Sequence, residues 1–266
     1  MSQHIEADAD GAAEQWREAL TYGHSVKSLK ILKRMMRLLP GSPRCKVCNN
    51  PFGGFGGGLC RFVGFKPSKK NPRLCSLCCE SLPLGGAEVE TAILFADIRG
   101  STGLAERLGP APYADLLNRF YRVATETLIG SDATVDKLIG DEVMAFFVPG
   151  FAGPDFKLEA IDAGQALLRA FGFDGRTEQW LPVGIGIDVG TAYVGNVGGE
   201  HLVDFTAVGD PVNMAARIQA QARSGELLVS EAAFAAVADR YPGCPLRRIA
   251  VRGKDAAIGV YSLPVH

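Results

Sequence analysis

Ile93-Leu94-Phe95-Ala96-Asp97-Ile98-Arg99-Gly100-Ser101-Thr102 is the stretch whose reading decides the fold. The run Ile93-Leu94-Phe95 has the character of a buried strand. It ends in an aspartate, a Gly-Ser-Thr turn follows, and a helical pattern begins. One carboxylate is thereby set at a strand terminus beside a helix N-terminus. Free N–H groups and the positive end of the helix dipole suit a metal-bound polyphosphate there. An ordinary turn with Ser or Thr as the helix cap leaves the same pattern.

Outward from this junction, strands and helices alternate. Val89–Ala96 reads as strand, and Ser101–Ile129 as helix with a break at Gly109-Pro110. Thr134–Leu138 and Val143–Val148 flank Gly140-Asp141, a β-hairpin turn. Asp155–Phe171 is a helix, and Val183–Asp188 with a Gly-punctuated hairpin through Thr206 supplies strands. Pro211–Ala222 is a helix, Leu227–Val229 a strand and Glu231–Tyr241 a helix, and strands near Arg248 and Tyr261 close the chain. The pattern predicts an α/β (α+β) sandwich over residues 89–266, its mixed, mainly antiparallel sheet covered by helices.

Upstream the composition changes. Residues 1–11 are polar and read as a disordered tail. Residues 12–41 read as a basic amphipathic helix, with Trp16, Leu20, Leu29 and Met36 near helical spacing and Lys27, Lys30, Lys33 and Arg34 opposite. Residues 42–84 are cysteine-rich and contain the glycine-rich run Phe52–Gly58, read as a flexible loop. Residues 85–88 read as a linker.

The 266 residues are 47% hydrophobic and 21% charged, which excludes a disordered, collagenous or small disulfide-stapled chain. No run of ~18 apolar residues suggests a membrane span, and MSQHIEADAD has no apolar core of a secretory signal. The expected compartment is the cytoplasm. A net charge of −1 conceals two halves: residues 1–87 hold 13 Lys+Arg against 6 Asp+Glu, and residues 88–266 hold 15 against 23. The basic half suits an anionic membrane surface, nucleic acid or the acidic half of its own chain. Solvated charge is the favoured reading over membrane or nucleic-acid contact.

Two further segments carry chemistry. Asp136-Lys137-Leu138-Ile139-Gly140-Asp141 places a carboxylate at a hairpin turn, which lets Asp97 and Asp141 face each other across adjacent strands. Hard oxygen ligands of this kind select Mg²⁺ or Mn²⁺. Thr206 through Arg217 opens a helix with Gly209-Asp210-Pro211, where Asp210 suits the N-cap and Pro211 the first turn. Asn213 and Arg217, four apart, share one face, an amide and a guanidinium placed to clamp a ribose and a phosphoryl oxygen. A solvated helix face has the same look.

Together, Phe95–Thr102, Lys137–Asp141, Thr206–Arg217 and Val251-Arg252-Gly253-Lys254 resemble the class III nucleotidyl cyclases, the adenylate/guanylate cyclase catalytic domain. The resemblance covers about residues 89–264. It implies a ferredoxin-like core and two Mg²⁺ or Mn²⁺ ions held by Asp97, Asp141 and the backbone carbonyl of Ile98. It implies a triphosphate held by Gly100, Ser101, Thr102 and Arg252, with Lys254 as a substitute, and a purine read by Lys137 and Thr206. Adenylate cyclases of this family usually carry Lys with Asp, or Lys with Thr, at the purine positions, and guanylate cyclases usually Glu with Cys. The Lys–Thr pair therefore looks like an ATP reader. An ammonium donor meets adenine N1, and a hydroxyl accepts from the N6 amino group. Asn213 matches the ribose-positioning asparagine and Arg217 the transition-state arginine. Sites of this family form between head-to-tail protomers, which implies a homodimer making 3′,5′-cyclic AMP and pyrophosphate from ATP.

Six of seven cysteines lie between Cys45 and Cys79. Cys45-x2-Cys48 and Cys75-x2-Cys78 are two metal-type knuckles. Four thiolates suit Zn²⁺ or, alternatively, an iron–sulfur cluster, and Cys60 and Cys79 are possible substitutes. Such a module is expected to regulate the catalytic domain. Two alternatives stand beside this reading: a guanylate or mixed-specificity cyclase, and a zinc-ribbon nucleic-acid-binding protein whose cyclase-like half only binds nucleotide.

Overall fold

The computed structural model describes residues 2–22, 35–36, 38–45, 48–68, 72, 74–79, 85–199, 202–251 and 257–265. The chain forms two compact units. The first comprises Met1–Glu90, Val148–Pro154 and Thr191–Val208, and the second Thr91–Phe147, Asp155–Gly190 and Gly209–His266.

In the first unit, helix α1 (Ser2–Tyr22) starts ten residues before the periodicity predicts. The polar start expected to be disordered is helical, because Glu and Ala favour a helix whatever their polarity. Residues 23–34, where the basic face was expected, lie outside the described residues; Met35–Met36 is helical. α1 buries Trp16 and Leu20. Trp16 stacks on Phe205 at 5.9 Å between ring centroids.

The glycine-rich run is not a loop. It forms helix α2 (Gly54–Phe62). Its inner face lies so close to neighbouring backbone that a Cβ on Gly56 would come within 2.2 Å of the Pro40 carbonyl, and one on Gly57 within 2.5 Å of Phe52. Glycine is there for close approach, and helix propensity yields to it. A one-turn helix α3 (Ser76–Cys79) follows.

The expected linker at 85–88 is the start of strand β1 (Gly85–Ile98). A Cβ on Gly86 would lie 2.4 Å from the Val194 carbonyl, so this glycine marks a tight strand contact and not a hinge. β4 (Val183–Gly199) runs from the second unit into the first. There it pairs antiparallel with β5 (Leu202–Val208), Thr206 standing opposite Gly195.

The second unit holds helices α4 (Ser101–Leu108) and α5 (Pro110–Gly130), divided at Gly109 as expected. The hairpin consists of β2 (Thr134–Ile139) and β3 (Glu142–Phe147). A short helix α6 (Pro149–Ala152), belonging to the first unit, precedes α7 (Phe156–Ala170). Then come α8 (Asp210–Gln221), β6 (Leu227–Ser230), α9 (Glu231–Phe234), β7 (Leu246–Ile249) and β8 (Ile258–Leu263). The helix expected over 231–241 is α9 followed by a separate 3-10 turn at Ala238–Arg240.

The sheet order is β2-β3-β1-β4-β6-β8-β7. β4 and β6 pair parallel, while β1 with β3, β2 with β3, β6 with β8 and β7 with β8 pair antiparallel. This is the mixed sheet the sequence predicts. Its hydrophobic layer includes Phe120, Leu128, Phe146, Leu167 and Phe171, all fully or almost fully buried. Met214 and Ile218 of α8 pack with Leu228, Ile249 and Val260, which orients the opposite face of α8 away from the core.

Candidate active site

β1 brings Asp97 to its C-terminal end, and the β2–β3 turn brings Asp141 to the same place. Gly140 makes that turn with φ 61, a conformation that L side chains rarely adopt. Asp97 stands opposite Glu142 in the β1–β3 register. The Ile98 N–H donates to the Asp141 carbonyl at 3.2 Å. The two carboxyl groups lie within hydrogen-bonding reach of each other. Burial, then the hydrogen bond with Asp141, pushes the Asp97 carboxyl up to about 7. Burial acts upward on Asp141 too, but hydrogen bonds with Ser101 and Asp97 outweigh it and hold that carboxyl below its ordinary value.

Arg99, which the sequence reading left without a role, forms an ion pair with Asp97. Its N–H donates to the Pro182 carbonyl at 2.8 Å. Its Nη1 lies 3.5 Å from the carbonyls of Gln219 and Ala222 at the end of α8. Asp97 Oδ1 nevertheless remains buried with no hydrogen-bond partner among the described residues. A buried, unpartnered carboxylate oxygen beside a second carboxylate fits hard divalent cations. Tyr113 and Tyr121 of α5 were also missed. The Tyr121 hydroxyl donates to the Gly140 carbonyl and so braces the turn. Burial, then the charge of Asp141, pushes both phenols up, so they stay protonated. The one available signal was spacing: Tyr113 and Tyr121 are eight apart, on the same stripe of a helix.

α4 begins immediately after Asp97-Ile98-Arg99. Gly100 caps it at φ 69, with no side-chain cap bond. Leu104 N–H is the first to reach back, to the Gly100 carbonyl at 3.1 Å. The backbone donors ahead of it, around Ser101 and Thr102, form the N-terminal turn that the phosphate reading requires.

α8 presents Asn213 exposed and Arg217 half-buried, one turn apart. Its N-cap is Gly209, and Asp210 and Pro211 are its first two residues, one position later than predicted. Gly209 takes φ 151, and with glycine there the Asp210 side chain is not needed as the cap. The helix lies tight on β4: a Cβ on Gly186 would come within 2.2 Å of the Gln219 nitrogen. Asn213 Nδ2 lies 3.5 Å from the Gly209 carbonyl.

Lys137 pairs with the buried carboxylate of Asp136 at 2.9 Å. A bulge between Val135 and Lys137 shifts the β2 register there, which alternation alone does not reveal. Thr206 is buried on β5 in the first unit, its Oγ1 3.4 Å from the Ala207 carbonyl. Asp97, Asp141, Lys137, Asn213 and Arg217 all belong to the second unit. Arg252 and Lys254 lie outside the described residues.

The first unit holds a second site. The Sγ atoms of Cys45, Cys48, Cys75 and Cys78 all lie within 4.8 Å of one another. Cys45, Cys48 and Cys75 are fully buried. At the first knuckle, Cys45 N–H donates to the Asn50 carbonyl at 2.8 Å and Asn49 N–H to the Cys45 carbonyl at 2.9 Å. The second opens α3, and Cys75 N–H donates to Cys45 Sγ at 3.2 Å. Hydrogen bonds from Cys48, Cys75 and Cys78 hold the Cys45 thiol well below its ordinary range. Sulfurs around one tetrahedral Zn²⁺ stand about 3.8 Å apart, given Zn–S bonds of about 2.3 Å. The four gathered thiolates could hold a metal. Cys60 is buried but faces Met36, its Sγ 3.9 Å from the thioether sulfur. The side chain of Cys79 is outside the described set.

Residues 87–263 match the adenylate and guanylate cyclase catalytic domain. An adenylate cyclase of Anabaena cylindrica is 31% identical over 220 residues, covering 76% of this chain and 42% of the relative. The terminal-differentiation-specific adenylate cyclase of Dictyostelium discoideum is 29% identical over 69% of this chain and 9% of the relative. The chain thus spans under half the length of these curated relatives. Among solved structures, the adenylyl cyclase CyaB from P. aeruginosa superposes with TM-score 0.58 at 28% identity, over 66% of this chain and 93% of that one. The guanylyl cyclase Cya2 superposes with TM-score 0.59 at 27% identity, over 67% and 93%.

Proposed function

The chain belongs to the adenylate and guanylate cyclase catalytic domain family, and on that premise we propose that it converts ATP to 3′,5′-cyclic AMP and pyrophosphate. The observation that carries the proposal is the pairing of Asp97 with Asp141 at the start of α4. It joins a dicarboxylate to a helix N-terminus, which suits a metal-bound triphosphate. Asp97, Asp141 and the Ile98 carbonyl would hold two divalent ions, Mg²⁺ or Mn²⁺, which when bound would supply activation of the ribose 3′-hydroxyl and charge neutralisation at the leaving pyrophosphate.

The protein groups do the remaining work. Backbone donors around Gly100–Thr102 bind the triphosphate, with Arg252 and Lys254 as further cations. Asn213 orients the ribose so that O3′ lies in line with the α-phosphorus. The ribose O3′ gives up its proton to solvent, the new O3′–P bond forms as the bond from the α-phosphorus to the bridging oxygen breaks, and pyrophosphate carries the electron pair away. Arg217 offsets the charge that develops on the phosphoryl oxygens. Lys137 and Thr206 read the adenine edge. The family is dimeric, and this chain carries both sets of residues, so two equivalent sites form in a head-to-tail homodimer. Likeness to the guanylyl cyclase Cya2 supports a second reading, a cyclase of mixed preference.

The four gathered cysteines support one structural Zn²⁺ in a module that biases how the protomers meet. Purified protein incubated with Mg²⁺ or Mn²⁺ and either ATP or GTP, with products separated by chromatography, tests the activity; Asp97→Ala is the blank. Cyclic AMP absent from the blank is expected. No cyclic product from a dimeric, metal-loaded preparation overturns the reading. Turnover unchanged after chelation has removed all zinc overturns the regulatory role alone.

A further inference from the structure

Helix α2 carries its large side chains on the side opposite to a core. Its buried residues are Gly56, Gly57 and Cys60. Phe55, Leu59 and Phe62, at i, i+4 and i+7, form one outward stripe, exposed by 82%, 50% and 90%. Val63, which caps the helix, extends it at 60% exposure. The glycines explain why no rotation of the helix would bury this stripe. Pro40 and Phe52 backbone fills the space behind Gly56 and Gly57, leaving no room for a side chain.

The chain around the stripe is rich in positive charge. Arg61 and Lys66 are exposed, Arg61 with its Nη2 3.4 Å from the Phe52 carbonyl. Lys69, Lys70 and Arg73 follow in sequence, and Glu18 is the one acid between residues 17 and 73. We propose that this face of α2 docks reversibly on an anionic lipid surface, with Phe55, Leu59 and Phe62 entering the headgroup boundary and the cations meeting lipid phosphates. A second copy of the chain fits less well. The stripe offers about 500 Å² of apolar surface, short of the ~800 Å² per partner that stable interfaces bury. Self-pairing also sets Arg61 and Lys66 against their own copies. Nucleic acid would use the phenyl rings for stacking but leave Leu59 and Val63 without a role. The inference does not depend on which nucleotide the cyclase uses.

The test uses the full chain at physiological salt with vesicles of phosphatidylcholine alone or with added phosphatidylserine. Cosedimentation is expected with the phosphatidylserine vesicles. It should fall by about tenfold or more in Phe55→Ser/Phe62→Ser, since adsorption scales with buried apolar area. Lys66→Glu, at an exposed position, should weaken it without touching the apolar stripe, which keeps the test informative if the double variant folds poorly. Cyclase turnover and zinc content should be unchanged in both. Failure to bind vesicles, or binding that both variants retain in full, overturns the proposal. It is equally overturned if the double variant abolishes self-association seen by light scattering, or retention on single-stranded DNA, while vesicles are ignored.

Discussion

Asp97 is half-buried, with its Oδ1 shut away from solvent, where a neutral acid is the comfortable form, yet the chemistry needs a carboxylate. Burial and Asp141 push its pKa up, while Arg99 pulls it down. Arg99 reaches this position because it lies two residues beyond Asp97 and its guanidinium is held against the last carbonyls of α8. Asp97→Ala should lower kcat by about 10³ or more with folding retained, measured by product formation beside a circular dichroism control. Arg217→Ala should lower kcat about 10²-fold with KM for ATP nearly unchanged, because its proposed charge partner exists only in the transition state. Thr206→Asp should raise the ATP-over-GTP ratio of kcat/KM about tenfold, since a carboxylate accepts from the adenine amino group but repels guanine O6. A ratio that does not move would remove Thr206 from purine reading.

At the scale of elements, legibility followed how local the determinants are. The hairpin turn at Gly140-Asp141, the break at Gly109-Pro110 and the strand ending at Asp97 were readable because each is set by a few adjacent residues. Elements set by distant contacts were not. Gly85-Gly86 looked like a linker and proved to be strand pressed on Val194 and Gly195. Phe52–Gly58 looked like a loop and became α2, because its glycines admit the Pro40 and Phe52 backbone. Arg99 and the two tyrosines were illegible for the same reason: their partners are set by tertiary packing. Among six clustered cysteines, spacing marked the four that converge, whereas the orientation of Cys60 toward Met36 needed the fold. The same logic predicts the effect of Gly186→Ala. A methyl there meets the α8 backbone at Gln219, so α8 must lift from β4. Stability should fall by about 1–3 kcal/mol in denaturant titration. Turnover measured well below the unfolding transition should also fall, because Asn213 and Arg217 ride on α8.

At the scale of the whole molecule, charge and cysteine distribution divided the chain into two parts, but the structure draws the line elsewhere. Segments 148–154 and 191–208 join the N-terminal residues, so the strand bearing Thr206 is grouped with the cysteine module and not with Asp97. A sequence reading that follows chain order has no means of finding that. The division bears on the proposed dimer through a complementation experiment. If each site takes Asp97 and Asp141 from one protomer and Arg217 from the other, the Asp97→Ala and Arg217→Ala homodimers each keep no more than about a hundredth of wild-type turnover. In a mixed dimer, one site receives both lesions and the other receives neither. Random assortment makes half the dimers mixed, each with one working site of two. Equimolar mixing after subunit exchange should therefore restore about one quarter of wild-type turnover. Activity that stays at the level of the separate variants, when exchange is verified by mass spectrometry, would mean that each site is completed within one chain.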